Sequence, residues 1–164
     1  MDSPEGKIYR NVDDLKVVLS RLREQGKKIV FTNGCFDIVH RGHCEYLYKA
    51  RQLGDFLVVG VNSDKSVRGL KGVGRPIIDL EGRMYVLACF YFVDAVIPFD
   101  EPTPIKLILA IRPDILVKGA DYEIDEIVGA KEVMGWGGKV ERIPLVEGYS
   151  TSEIIKKIKN EIPD

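Results

Sequence analysis

His40 and His43 are the only histidines of this chain, and they stand three residues apart in a polar segment that follows an apolar run. The segment, T-N-G-C-F-D-I-V-H-R-G-H, also contains Gly34 and Gly42. Glycines free backbone N–H groups to face an anion, and imidazoles can donate hydrogen bonds to it. These residue types, at the end of a predicted strand, therefore indicate a phosphate-binding site.

Two other interpretations of the histidine segment remain open, a metal site and a purely structural turn. A metal site would need a third and a fourth ligand, and the sequence has no further histidine. Cys44 and Asp37 are near in sequence but have no recognised ligand spacing. Phosphate binding is favoured because a helix starting at Gly42 would direct its N-terminus towards the anion.

The composition is that of a globular protein with small-molecule partners. The chain has 164 residues, 45% of them hydrophobic and 30% charged, and we expect a single domain over residues 1–164. The net charge of -1 does not favour a nucleic acid or an anionic membrane as a partner. No apolar window is long enough to span a bilayer. The three cysteines are odd in number and lack a C-x-x-C pair, which favours reduced thiols and a cytoplasmic location.

Apolar runs alternate with segments of helical periodicity from about residue 28 onward. Residues 1–26 are predicted as an N-terminal extension with one helix, 13–25, and residues 63–74 as a mobile basic loop with about one helical turn. The other predicted helices are 42–53, 80–91, 104–111 with Thr103 as its N-cap, 125–134 and 151–161. The predicted strands are 28–32, 56–61, 95–98, 115–118 and 140–143.

This alternation, with its short connections, predicts an α/β fold. We expect a single doubly wound, Rossmann-like, five-stranded parallel sheet with helices on both faces. In such sheets ligands bind beyond the carboxyl ends of the strands, near the topological switch point. The histidine segment, residues 62–64 and residues 118–121 each follow a predicted strand, so we expect them to converge on one rim of the sheet.

Two separated motifs resemble a known superfamily. H-R-G-H, residues 40–43, is similar to the H-x-G-H signature of the nucleotidylyltransferases, and Y-S-T-S-E-I-I, residues 149–155, is similar to their second signature, I-S-T-T-x-I-I. Ser152 replaces the second threonine of that signature, which keeps the hydroxyl, and Tyr149 replaces its leading isoleucine. The segments T-N-G-C-F-D, V-N-S-D, L-K-G-V-G-R-P, V-K-G-A-D-Y and G-A-K-E-V further resemble the adenylyltransferase domains that act on heptose 1-phosphate.

The resemblance implies transfer of AMP from ATP to a sugar 1-phosphate, which yields an ADP-sugar for lipopolysaccharide precursors and releases pyrophosphate. Mg²⁺ would be carried by the nucleotide, and no metal ligands of the protein are expected. A sugar kinase is fused to many such domains, and these 164 residues leave no room for one, so a separate kinase is expected upstream. Relatives often form dimers or larger assemblies, which makes a homo-oligomer an expectation of the resemblance.

Two alternatives stay open beside the adenylyltransferase. A cytidylyltransferase acting on glycerol 3-phosphate or a similar small phosphate would carry the same motifs. A non-catalytic nucleotide-binding module on the same fold is the second alternative, since fold does not fix function. The reaction itself needs no general base, because the attacking phosphate oxygen is already an anion; positioning and charge stabilisation are what the protein must supply.

The resemblance also implies which residues form the site. The expected catalytic residues are His40, His43, Arg51 and Lys71, with Lys71 in the loop that would close over the substrates. The residues expected to bind the nucleotide or the second substrate are Thr32, Asn33, Gly34, Phe36, Asp37, Gly42, Asn62, Asp64, Arg83, Lys118, Gly119, Asp121, Ser150, Thr151 and Ser152. Arg75 is a weaker candidate of the same kind. Each of these basic residues has an ordinary surface role as its alternative, and helix capping alone would explain the hydroxyls of residues 150–152.

Overall fold

The computed structural model describes residues 3–163 and contains one five-stranded sheet. Its strands are β1 (Ile29–Gly34), β2 (Phe56–Asn62), β3 (Ala95–Phe99), β4 (Ile115–Gly119) and β5 (Lys139–Ile143). All neighbouring strands are parallel, and their order is β3-β2-β1-β4-β5. The predicted doubly wound sheet is therefore confirmed. Because the chain leaves β1 in one direction and later returns to its other side, the switch point lies between β1 and β4.

Seven α-helices are found in the described residues. They are α1 (Val12–Glu24), α2 (Arg41–Arg51), α3 (Asp64–Lys71), α4 (Leu80–Ala88), α5 (Ile105–Ile111), α6 (Ala130–Gly135) and α7 (Thr151–Glu161). Short 3-10 helices at Pro4–Lys7 and Ile124–Glu126 add to them. Most boundaries lie within a few residues of those predicted from the sequence.

Two predicted segments and one predicted cap differ from the structure. Thr103 does not cap α5, because the helix begins at Ile105 with Pro104 at its N-cap and no side-chain cap hydrogen bond. Residues 63–74 contain the two-turn helix α3, which Ser63 caps by accepting a hydrogen bond from the amide of Ser66, and which Val67 anchors in the core. Gly69 lies inside this helix, and because glycine has a low helix propensity, the sequence pattern predicts only about one turn of it. The helix predicted over 125–134 is divided, because Gly129 has a φ of 86° and interrupts the helical path.

Apolar clusters cover both faces of the sheet. Phe31 of β1 packs with Leu15 and Leu19 of α1 and with α5 and α6 on one face. Val30 packs with residues of α2 and α4 on the other. Leu15 and Leu19 are fully buried, and each such side chain contributes about 1.5–3 kcal/mol to folding. The N-terminal helix is therefore an integral part of the core.

The functional end of the sheet is the carboxyl end. β1, β2 and β4 end there at Gly34, Asn62 and Gly119, and the loops after β1 and β5 lead into the N-termini of α2 and α7 at the same end. Two helix N-termini and three strand ends therefore surround one space. This is the rim on which the sequence motifs were expected to converge.

Candidate active site

A cavity of about 610 Å³ opens at this rim. Its volume lies in the range of small-molecule binding sites. Most of the residues predicted for the site line it, namely Asn33, Gly34, Phe36, Asp37, His40, Gly42, His43, Asn62, Lys71, Lys118, Gly119, Asp121, Ser150, Thr151 and Ser152. Thr32, Arg51, Asp64 and Arg83 are not among the lining residues. The cavity thus brings both sequence motifs together.

The two imidazole rings stack at the beginning of α2, with 3.9 Å between their centroids. His40 is the N-cap of α2, and its Nδ1 accepts a hydrogen bond from the amide of Gly42 at 3.1 Å. The Nδ1 of His43 accepts from the amide of His40 at 3.4 Å. A neutral imidazole that accepts at Nδ1 carries its proton on Nε2. Each ring is therefore held with its Nε2–H as the remaining donor.

Burial lowers the pKa of both histidines. For His43 the pKa falls to about 4, through burial first and the neighbouring His40 second. Burial alone lowers the pKa of His40. Both rings are therefore neutral at pH 7, and they act as hydrogen-bond donors without a formal charge. Such donors, fixed by backbone bonds, are suited to stabilising charge that develops on a phosphate.

The N-terminus of α2 is shaped for an anion. A Cβ at Gly42 would lie 2.9 Å from the His40 ring, so only glycine lets the ring sit against the helix. The first turn of α2 contains no acidic residue. The positive end of the helix dipole therefore faces the cavity without competition from a carboxylate of its own turn, and the Gly42 amide of that turn is bonded to His40 Nδ1.

Asp37 joins three segments of the site. Its carboxylate accepts hydrogen bonds from Arg75 Nε at 2.9 Å and from the amides of Ile77 and Ile78 at 2.8 and 3.0 Å. Its main-chain carbonyl oxygen accepts from Thr151 Oγ1 at 2.6 Å. Burial by itself would raise the pKa of Asp37, but these amides and the Arg75 guanidinium outweigh it and lower that pKa. Asp37 is therefore ionised, and its hydrogen bonds join the loop after β1 to residues 75–78 and to the start of α7.

The backbone around Asp37 is strained. Phe36 and Ile38 have φ values of 50° and 49°, in the left-handed region that side chains with a Cβ rarely adopt. Each such residue costs about 1–2 kcal/mol. The bonds to Asp37 offset this cost and hold the loop between β1 and α2 in one conformation.

The second motif forms the N-terminus of α7. Ser150 is the N-cap and accepts a hydrogen bond from the amide of Glu153 at 3.0 Å. The Thr151 hydroxyl donates to the main-chain carbonyl oxygen of Asp37, and Ser152 also lines the cavity. Capping therefore explains the Ser150 hydroxyl, while the Thr151 hydroxyl fastens α7 to the loop after β1.

The end of β4 contributes a partly buried cation. The Lys118 ammonium lies 5.6 Å from the centroid of the Tyr122 ring, and burial lowers its pKa. At Gly119 a Cβ would collide with the Asp121 carboxylate. Glycine at position 119 therefore allows the chain to turn so that Lys118 and Asp121 both border the cavity.

One buried polar atom of the cavity wall, Asn33 Oδ1, has no hydrogen-bond donor within residues 3–163. Asn33 lines the cavity at the end of β1. An unpaired buried acceptor costs about 1–3 kcal/mol, so a hydroxyl or amino group of a ligand would be favoured there.

Arg51 does not reach the cavity, contrary to the expectation from the motif. It is the last residue of α2, and a helix rises 1.5 Å per residue, which places it about 15 Å from the N-terminus that faces the site. Its guanidinium instead binds the Asp94 carboxylate at 2.7 Å and the Gly54 carbonyl at 2.6 Å. These contacts join the loop before β2 to the start of β3, at the opposite end of the sheet.

Arg83 is buried and bonds only to the protein in the described structure. It donates to the carbonyl oxygens of Ile78, Cys35 and Asn62 at 2.7–2.9 Å, and its Nη2 lies 2.8 Å from Asp64. The side chain is fully buried. Arg83 and Asp64, both expected to bind substrate, therefore brace the ends of β1 and β2 from behind the cavity.

Thr32 also lies behind the cavity wall. Its hydroxyl bonds to the Tyr46 hydroxyl at 2.7 Å and donates to the Val117 carbonyl at 3.0 Å. Tyr46 itself lines the cavity, and burial raises its pKa. Thr32 thus supports Tyr46 and ties β1 to β4.

Several lining residues were not predicted as site residues. They are Cys35, Tyr46, Leu70, residues 102–104, Tyr122, residues 126–128, Leu145, Val146 and Tyr149, while Arg75, the weaker candidate, also lines the cavity. Position at a strand end would have suggested Cys35, and Tyr149 begins the second motif. Tyr46 lies on α2 and Leu70 on α3, and the remaining residues come mainly from loops whose path the sequence does not reveal.

The protein's own residues do not fit a resident metal ion. Within residues 3–163 no group of three or more histidine, cysteine, aspartate or glutamate side chains is placed to hold one. The Asp37 carboxylate is already occupied by Arg75 and two amides.

The fold and the site define a class of protein, an α/β protein with a parallel sheet whose carboxyl end and two helix N-termini border one cavity. A family model described as cytidylyltransferase-like matches residues 31–157. The chain belongs to this family and is a nucleotidyltransferase, with a nucleotide and other small molecules as its substrates.

Curated relatives and solved structures agree with this assignment. The chain is 55% identical to the bifunctional protein HldE of Methylobacillus flagellatus over 148 residues, which are 90% of this chain and 30% of that protein. It is 54% identical to the same-named protein of Campylobacter jejuni subsp. doylei, over 95% of this chain and 34% of that one. The chain thus spans about a third of the length of these relatives.

Among solved structures, a lipopolysaccharide core biosynthesis protein from Thermoplasma volcanium has a TM-score of 0.62 and 31% identity, over 76% of this chain and 100% of that chain. A pantoate-beta-alanine ligase from Francisella tularensis has a TM-score of 0.63 at 16% identity, over 93% of this chain and 76% of that one, which shows a shared fold. None of the helices in residues 3–163 is long and apolar enough to cross a membrane.

Proposed function

We propose that the chain transfers AMP from ATP to heptose 1-phosphate, forming ADP-heptose and pyrophosphate for lipopolysaccharide precursors. The observation that carries this proposal is the 50–55% identity to proteins named HldE over about nine-tenths of the chain. The solved relative described as a lipopolysaccharide core biosynthesis protein points the same way. A sugar kinase would supply the 1-phosphate.

The chemistry is a displacement at phosphorus. An oxygen of the sugar 1-phosphate attacks the α-phosphorus of ATP, the bond from that phosphorus to the bridging oxygen of the β-phosphate breaks, and pyrophosphate leaves. The Nε2–H groups of His40 and His43 donate hydrogen bonds to the phosphate oxygens on which charge accumulates. Neither ring needs to take or give a proton, which agrees with their lowered pKa values. One lost donor of this kind typically costs about 10²–10³ in rate.

The two halves of the cavity suit the two substrates. On the side of β4 and β5, Gly119, Leu145 and Val146 provide a partly apolar wall for a nucleotide base. On the side of β2, Lys71 and Arg75 provide cations for a second phosphate. The histidines lie between the halves, where the phosphorus that is transferred would be. Mg²⁺ enters with the triphosphate and neutralises part of its charge.

A cytidylyltransferase is the second candidate, and the description of the family model favours it. It would use the same histidines and the same displacement, with CTP and a small phosphate such as glycerol 3-phosphate. The two candidates differ in the base and in the acceptor, so one assay separates them.

The test is pyrophosphate release measured for ATP and CTP, each with heptose 1-phosphate and with glycerol 3-phosphate, in the presence and absence of Mg²⁺. The proposal expects ATP with heptose 1-phosphate to give the highest kcat/KM and chelation of Mg²⁺ to abolish it. Preference for CTP with glycerol 3-phosphate would overturn it in favour of the second candidate. Binding of ATP without turnover of any pair would instead favour a non-catalytic module.

A further inference from the structure

Arg75 lies in the cavity wall, and within the part of the chain that the structure describes only the Nε of its guanidinium is bonded to the protein. Its Nε lies 2.9 Å from Asp37 Oδ2, and the side chain is 14% exposed. Asp37 is in turn fixed by the amides of Ile77 and Ile78, two and three residues beyond Arg75. The carboxylate therefore holds both the guanidinium and the backbone that carries it.

The remaining donors of Arg75 are left for a ligand. Within residues 3–163 no protein acceptor lies within hydrogen-bond distance of its Nη1 or Nη2, and neither atom is buried. A guanidinium carries five N–H donors in a fixed fork, and that fork matches the oxygens of a phosphate. A partly buried guanidinium with an open fork, in the wall of a phosphate-binding cavity, is thus prepared for an anion.

Two other arginines of the same chain serve as comparisons. Arg83 has a protein acceptor on each of its three nitrogens. Arg10 directs both Nη atoms at the Glu81 carboxylate, the usual geometry of a structural ion pair. Arg75 differs from both, because Asp37 takes only its Nε–H.

The position of Arg75 indicates which substrate it contacts. It lies in the segment that follows α3, whose last residue is Lys71, and α3 itself follows β2, on one side of β1 in the strand order. Leu145 and Val146 follow β5, which lies on the other side of β1, and both line the cavity. We propose that Arg75 binds the phosphate group of the acceptor substrate and that Asp37 is a positioning residue for it. This inference rests on the proposed function, which supplies an acceptor with a phosphate.

The experiment is a calorimetric titration of the folded chain with three ligands: a non-hydrolysable ATP analogue with Mg²⁺, heptose 1-phosphate and glycerol 3-phosphate. Arg75→Gln is expected to weaken binding of the acceptor phosphate by roughly ten- to hundredfold, the usual value of a charge-assisted hydrogen bond. Binding of the ATP analogue is expected to change by less than about threefold, because an interaction confined to one ligand affects that ligand alone.

Three further variants remove the effects of folding and of charge. Arg75→Lys keeps the charge but cannot bind Asp37 and a phosphate together, so it is expected to lose affinity as Arg75→Gln does. Asp37→Asn is expected to weaken acceptor binding less than Arg75→Gln does, and because the Asp37 bonds also hold the histidine loop, only the Arg75 variants decide between the ligands. Arg68→Gln, an exposed arginine of α3 outside the cavity, is the matched control and is expected to bind all three ligands as the wild type does.

Each outcome decides the proposal. A loss confined to the acceptor phosphate supports it. A loss confined to the ATP analogue, an equal loss for both ligands, or no loss would overturn it. If the wild type binds glycerol 3-phosphate and not heptose 1-phosphate, the proposed acceptor is wrong, and Arg75 is judged by its effect on glycerol 3-phosphate. If the wild type binds neither phosphate, with or without the ATP analogue, the assignment of Arg75 is overturned with the proposed function.

Discussion

The Thr151 hydroxyl donates a 2.6 Å hydrogen bond to the main-chain carbonyl oxygen of Asp37, across 114 residues of sequence. This bond joins the second motif, at the start of α7, to the loop that carries the histidines. The loop is also strained at Phe36 and Ile38. The two motifs are therefore held together by a direct hydrogen bond. The Thr151 hydroxyl stabilises this contact and does not cap a helix.

Thr151→Val should separate the two motifs. The change leaves the Asp37 carbonyl without its donor, and we expect it to lower the free energy of unfolding by about 1–2 kcal/mol. Because the histidine loop loses a restraint, kcat should fall by about tenfold or more. Urea unfolding and pyrophosphate release measure the two effects. Ser20→Ala, at an exposed site on α1, is the control, and equal stability of the Thr151 variant and this control would contradict the account.

The lowered pKa of His43 predicts a loss of stability in mild acid. The pKa is about 4 in the folded chain and ordinarily 6.5, so between these values the unfolded chain takes up the proton first. Stability that is complete above pH 6.5 should therefore fall as the pH drops towards 4, by at most about 3 kcal/mol from this residue. His43→Gln does not titrate, so its unfolding free energy should depend less on pH over this window. Parallel pH profiles of the two proteins would refute the buried neutral ring.

Replacement of Arg83 should destabilise the fold more than it alters substrate affinity. Arg83→Met leaves three carbonyl oxygens and Asp64 without their donor, and we expect a loss of about 3 kcal/mol or more in urea unfolding. Arg83→Lys should not restore the loss, because one ammonium cannot replace the fork. Arg10→Met, in an exposed ion pair, should cost less than about 1 kcal/mol. A stable Arg83→Met variant with weakened ATP binding would contradict this structural role and show that Arg83 binds substrate.

Arg51→Gln should separate stability from catalysis in a similar way. The ion pair with Asp94 is only partly exposed, so its loss is expected to cost about 1 kcal/mol of unfolding free energy. The kcat/KM for the proposed reaction should stay within about twofold of the wild type, since the residue lies at the opposite end of the sheet. A drop of a hundredfold in a folded variant would contradict the placement of Arg51.

The sequence predicts the fold well because four of its five strands, β1 to β4, are largely apolar runs. β2 is buried along nearly its whole length, and such runs identify the strands of a parallel sheet. Helix α3 is longer than the single turn that the sequence predicts, because a helix with an internal glycine has little local signal and Val67 stabilises it through the core. The position of most motif residues at the rim followed from the strand ends alone.

The basic residues of the site were harder to predict. The sequence correctly predicts that Arg51 lies on α2. It does not show that only the N-terminus of α2 borders the cavity, so that Arg51, in the last turn, is too far away to contact a ligand there. Arg83 and Arg75 both lie near the glycine-rich segment, and only the structure shows which guanidinium is saturated by the protein. The bonds of Asp37, to residues 38 and 114 positions away, are long-range contacts that no local pattern predicts.

The measurement that tests the central claim most directly is pyrophosphate release from ATP and heptose 1-phosphate by His43→Ala beside the wild type. If His43 is a fixed, neutral donor to the transferred phosphate, kcat should fall by about 10²–10³ while the circular dichroism spectrum at pH 7 stays that of the folded wild type. A folded His43→Ala variant that releases pyrophosphate at the wild-type rate would contradict the account.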